Sequence, residues 1–196
     1  KGYLPYAKAA YDTMTLEQIV EDKCKYSGYD PKRFLPLEEV LKKDDISEEN
    51  GRFTRVITAA NGKKAILRIY KDNHVYPYEA QISTALKTLI QEAPVVGFVT
   101  GHKERSGTDM GEKGYGTFAS NKTFRYSLVN SGYGVREISL KQPVADDINI
   151  IVLADMRSYL TEEEERNFNA YLERGGNLFI LGEPKRQQFM NPVLEK

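Results

Sequence analysis

Residues Pro94 to Glu104, reading PVVGFVTGHKE, put the tightest constraint on this chain of 196 residues. Val95 to Val99 is an apolar run too short to be an ordinary helix, and it stops at Thr100-Gly101. His102, Lys103 and Glu104 follow at once. Such a run is a parallel strand buried on both faces that delivers polar groups to the carboxyl edge of a sheet. In open α/β sheets that edge is where ligands bind. The search for a site starts there.

The rest of the chain supplies elements for such a sheet. Residues 1 to about 50 read as helical. Leu16, Ile19, Val20 and Cys24 follow helical spacing behind a Thr15 cap, with Cys24 a small core residue on that stripe. Asp30-Pro31 opens a second helix through Leu35, Val40 and Leu41. Phe53 to Ala60 and Lys63 to Tyr70 flank Asn61-Gly62, the pair favoured in a two-residue type I′ hairpin. After Pro77 a helix carries Ile82, Ala85, Leu86, Leu89 and Ile90 on one stripe.

Beyond the Val95 strand, Gly101 to Gly116 reads as a long loop rich in glycine and charge. A helix through Phe124, Leu128 and Val129 is expected to end near Gly132, before a strand at Val135, Ile138 and Leu140. Asn149 to Ala154 is apolar on both faces and therefore central. Thr161 and Glu164 form a capping box for a helix with Phe168, Tyr171 and Leu172 inward, closed by Gly175-Gly176. Asn177 to Leu181 is the last strand, followed by a short tail. Crossovers of these lengths imply a parallel, doubly wound three-layer sheet. Residues 1–77 form a helical and hairpin part, and 78–196 an α/β domain that reads as truncated at its carboxyl end.

Twenty-eight basic and 28 acidic residues cancel, so no net field argues for nucleic acid or an anionic membrane. No apolar run approaches the roughly 18 residues of a membrane span. The start, Lys1 to Pro5, is neither an initiator methionine nor a signal peptide, so the chain reads as a piece of a longer protein. Cys24, the single cysteine, excludes an internal disulfide and a cysteine-rich metal site and leaves cytoplasm and periplasm equally open.

Chemistry is sparse. Asp155-Met156-Arg157-Ser158 follows the central strand without a nucleophile elbow. His102 and Glu104 could act as an acid–base or metal pair, but a local hydrogen-bonded turn is the preferred reading. The glycines after Thr100 match no phosphate-binding spacing. Tyr70, Tyr76 and Tyr78 around Lys71 and His74 read as hairpin packing. No catalytic residue, metal or cofactor is assigned.

The order of motifs resembles a known family. Val95 to Glu104, with Tyr78-Glu79 and Ser83 to Leu89 upstream, is similar to the signature of gliding-motility-type accessory proteins of ABC transporters. Asp147 to Leu153, Leu160 to Glu164, Tyr171-Leu172, Gly175 to Leu178 and Glu183-Pro184 continue the match, with Lys103 in place of a glycine and Glu183 in place of an aspartate. The resemblance implies an extracytoplasmic, periplasmic domain of a membrane-anchored parent, working with an ABC permease and ATPase. It also implies a flavodoxin-like sheet related to class I glutamine amidotransferases, without established enzymatic activity. The reading is then a non-catalytic binding or assembly domain that meets a partner, small solute or peptide. Its candidate residues are Thr100, Gly101, His102, Lys103, Glu104, Asp155, Arg157 and Glu183. The competing readings are a hydrolase using His102 and Glu104, and a nucleotide-binding module.

Overall fold

The computed structural model describes residues 11–49, 52–70, 72, 74 and 76–195. Expectations for residues 1–10 and for Lys71 lie outside the described residues. The chain divides into two compact units, Lys1–Gly51 and Arg52–Lys196.

In the first unit, helix α1 (Leu16–Ser27) starts as expected. The Thr15 hydroxyl accepts from the Gln18 amide, and the Gln18 side chain accepts from the Thr15 amide at 2.9 Å. Gly28, at φ 71°, ends the helix. Cys24 is buried, whereas Leu16 and Val20 are exposed. The second helix differs from expectation. Asp30 caps only a single 3-10 turn, Pro31–Arg33, and Phe34 turns extended. Pro36 disfavours helix at Leu35, and α2 (Leu37–Lys43) begins just beyond it.

The second unit opens with an antiparallel hairpin, β1 (Thr54–Thr58) and β2 (Lys64–Arg68). Its turn is not type I′, because Gly62 alone has positive φ, 82°. The Gly62 amide donates to the Ala59 carbonyl at 2.9 Å and the Ala59 amide to the Lys63 carbonyl at 2.9 Å. That is a three-residue loop closed by a left-handed glycine. Helix α3 (Glu79–Ile90) packs on β2, but Gln81, Ala85 and Leu89 face inward while Ile82, Leu86 and Ile90 are exposed. The small Ala85 lets the helix approach Ala65 and Leu67 closely.

A four-stranded parallel sheet follows, comprising β3 (Val95–Val99), β4 (Gly134–Ile138), β5 (Ile148–Ala154) and β6 (Asn177–Leu181). Its order is β4-β3-β5-β6, the flavodoxin-like arrangement in which the order of strand addition reverses between the parallel strands β3 and β5. Alternation along the two central strands fills both faces. Ile151, Leu153 and Val99 join Phe168 and Tyr171 of α5 (Glu162–Glu173) on one face. Met190 and Val193 of α6 (Gln187–Leu194) complete that core. The expected short tail is therefore a helix, disguised in the sequence by Pro184 and Pro192.

On the other face, Val96, Phe98, Val152 and Ala154 pack with Ala119, Tyr115 and Leu128. The segment carrying them is not the expected helix. It has only α4 (Gly116–Ala119), then turns and a 3-10 turn at Val129–Ser131. Asn121 accepts from the amide and hydroxyl of Thr123, and the Asn130 side chain donates to the carbonyls of Asn121, Lys122 and Phe124. These side-chain bonds replace the helical ladder.

Arg125 fastens this segment. It is 2% exposed, stacked between the rings of Tyr70 and Tyr78 at 4.6 and 4.4 Å. It donates bidentately to Asp72 at 2.7 and 2.8 Å and also reaches Gln81 and the His74 carbonyl. Hydrogen bonding from Arg125 is the main cause that pulls the Asp72 carboxyl down to about 2. A carboxyl lowered on folding adds stability that is present above its unfolded value of 3.8 and lost as pH falls toward 2. Thermal melts from pH 6 to 2 should show that acid-side loss, and Asp72→Asn should flatten it between about pH 4 and 2.

Candidate functional site

The carboxyl ends of β3, β5 and β6 meet at one edge, and backbone bonds carry the pairing past the strands. The Thr100 amide donates to the Ile138 carbonyl at 2.9 Å, and the Thr100 hydroxyl reaches the same oxygen at 3.2 Å. Arg105 donates its amide to the Ala154 carbonyl at 3.0 Å, Asp155 to Leu181 at 2.7 Å and Arg157 to His102 at 2.9 Å. The three segments that follow the strands are thus laced into one surface.

Two non-glycine residues there have left-handed backbone: Lys103 at φ 57° and Asp155 at φ 54°. Gly101, at φ 129°, opens the first turn. Such conformations cost of order 1–3 kcal/mol each and persist only where neighbours impose them. For Lys103 the imposing contacts are those of His102. The His102 amide donates to Glu104 Oε2 at 2.6 Å, closing a turn around the exposed Lys103.

His102 is itself 5% exposed. Its Nδ1 lies 3.0 Å from Glu104 Oε1 and its Nε2 3.1 Å from Glu164 Oε2. Glu164 is also the capping-box residue of α5, accepting from the Thr161 amide and hydroxyl at 2.9 Å each. One carboxylate oxygen therefore holds both a helix start and the histidine. Burial alone would raise the Glu164 carboxyl; the Thr161 donors and the His102 ring outweigh it and hold the group below its ordinary value.

The carboxylates lie against opposite sides of the imidazole and do not converge on a point. Among the described residues no group of three or more His, Cys, Asp or Glu side chains is placed to hold a metal ion. The sequence singled out Glu164 only as a helix cap. Its second partner, 62 positions away, becomes visible when the sheet brings the β3 turn to the start of α5.

Asp155, 1% exposed, occupies the turn after β5 among three arginines. Arg157 Nη2 stands 3.3 Å from its Oδ2, Arg105 Nε 3.8 Å from the same oxygen and Arg186 Nε 3.8 Å from its Oδ1. Glu183 pairs with the outer nitrogen of Arg105. The fold thus brings together all eight expected residues and adds Arg105, Glu164 and Arg186. Arg186 was hidden in the supposed tail, and Arg105 adjoined Glu104 without a motif to mark it.

The loop after Arg105 is internally bonded. The Ser106 carbonyl accepts from Tyr115 and the Asp109 carbonyl from Gly116, each at 2.8 Å. A Cβ on Gly107 would lie 2.6 Å from the Phe98 ring, and one on Gly114 2.1 Å from the Asp109 carbonyl. These glycines serve close packing of the loop.

His102 is the structural centre of this edge. His102→Ala removes the ring from between two buried carboxylates, leaving Glu104 the backbone amide of residue 102 and Glu164 the Thr161 donors, and should destabilise the protein by about 1–3 kcal/mol in urea unfolding. His102→Ala combined with Glu164→Gln should cost clearly less than the sum of the two single changes, as a direct coupling requires.

Comparison with known proteins adds one match. The family model described as an ABC-type uncharacterized transport system covers residues 93–193, just over half of the chain. No curated protein and no solved structure gives a significant match. The matched stretch begins before β3 and ends within α6, so it takes in the whole parallel sheet and the edge described above. The chain belongs to the ABC-type uncharacterized transport system family.

Proposed function

We propose that this protein is a non-catalytic, extracytoplasmic binding and assembly domain, an auxiliary part of an ABC transport system. It meets the permease, and through it the assembly that includes the ATPase, or a solute they handle, at the carboxyl edge of the sheet. One observation carries the choice of binding over catalysis. The only imidazole at the edge is buried, with both ring nitrogens engaged by carboxylates, which leaves it no free position for proton transfer to a ligand. The groups that do face outward are those of a recognition surface: Lys103 on its left-handed turn, the half-buried arginines and Glu183.

Family membership supports the transport context, and the topological switch between β3 and β5 favours the carboxyl edge as the binding face. No helix among the described residues is long and apolar enough to cross a membrane, so attachment to the transporter through this domain would rely on surface contacts. Reversing charge at the edge tests the reading. Lys103→Glu with Lys185→Glu, both exposed at this edge, in the full parent protein should abolish co-purification with the permease and ATPase, while circular dichroism and melting temperature of the domain stay close to wild type. Undiminished co-purification with both charges reversed would remove the edge as the contact.

A further inference from the structure

The arginines at the carboxyl edge outnumber their acceptors. Arg105 comes from the turn after β3, Arg157 from the turn after β5 and Arg186 from the turn after β6, so each adjoining strand contributes one. Asp155 stands among them, yet only Arg157 reaches it within hydrogen-bond distance, at 3.3 Å. The Nε groups of all three arginines are buried and find no acceptor among the described residues, and Asp155 Oδ1 accepts no hydrogen bond. The second carboxylate, Glu183, is 42% exposed and sits on the outer side of Arg105. Three guanidinium groups therefore share two carboxylates, one of them half in solvent.

Buried donors are nearly always satisfied, so three orphans in one cluster need an explanation. The guanidinium fork matches a carboxylate or phosphate in geometry and charge. The arginine side chains remain 23–35% exposed although their Nε groups are covered, so an oxyanion from solution can reach the outer ends of the guanidinium groups without opening the sheet. The chain as a whole carries no net charge, which makes a local cationic excess at the switch point a specific feature.

We infer that Arg105, Arg157 and Arg186 form a seat for an oxyanionic group, a carboxylate or phosphate, on the ligand of this domain. The inference rests on the proposal that this edge is the binding face and names the chemistry it recognises. Asp155 is a positioning residue that gathers the arginines by charge while accepting a hydrogen bond from Arg157 alone. Glu183 occupies Arg105 in the unbound domain and yields to the incoming anion. A small anionic solute and an acidic segment of a partner protein offer the same group.

Isothermal titration of the chain with inorganic phosphate, citrate and an oligo-glutamate peptide separates those sources. Saturable binding of at least one probe is expected. It should weaken roughly tenfold or more in Arg157→Gln and in Arg186→Gln, tighten in Glu183→Gln, and fall with rising salt. Binding of phosphate or citrate points to a solute, and binding of the peptide alone to a protein segment. No binding by any probe, or equal binding by the arginine variants, overturns the inference. Should the probes fail while edge charge reversals still abolish co-purification, the oxyanion seat falls and the binding face stands. Should the probes bind while co-purification persists, the reverse holds.

Discussion

A single buried histidine ties the parallel sheet to the helix that covers it. His102 stands between Glu104, two residues on, and Glu164, at the start of α5. The local pair shapes the turn after β3 and holds Lys103 in left-handed backbone; the distant pair ties that turn to the Thr161–Glu164 cap where α5 begins. Phe168 and Tyr171, which α5 inserts into the core, inherit their placement from that start. The imidazole joins the residue 102 amide and the Thr161 donors in satisfying two carboxylates whose burial would otherwise be costly. The clasp joins two halves of the sheet's carboxyl edge and makes it a shaped surface.

The division of labour at this edge follows from exposure. His102 and Glu104 are structural because the fold encloses them, and Asp155 is enclosed with them. What remains accessible is mainly cationic: Lys103 and three arginines, with Glu183 as the exposed carboxylate among them. The histidine thus serves the architecture of the edge, and the proposed recognition role rests on the charges around it.

Much of this was legible in the sequence, for physical reasons specific to each element. The two central strands announced themselves because both faces of a central parallel strand are apolar, as in Val95–Val99 and Ile148–Ala154. The Thr161–Glu164 capping box was visible as a local pattern. Failures came where local bonds competed with periodicity. Asn121 and Asn130 dissolved an apparent helix into turns, and a glycine bulge replaced the Asn-Gly turn. The tail helix hid behind Pro184 and Pro192 although Met190 and Val193 are core residues. The edge residues could be named from strand ends, but the Glu164 clasp and the Arg186 contribution could not. Both are contacts between segments far apart in the chain, and spacing in the sequence carries no trace of them.

The central claim is that the carboxyl edge of the sheet is the face the transporter meets. Amide hydrogen exchange on the parent protein, alone and assembled with its permease and ATPase, reads that directly. Assembly should slow exchange over residues 100–107, 155–158 and 183–187 and leave α3 and the hairpin unchanged. Protection confined to α3, with the three edge segments exchanging as before, would contradict the account.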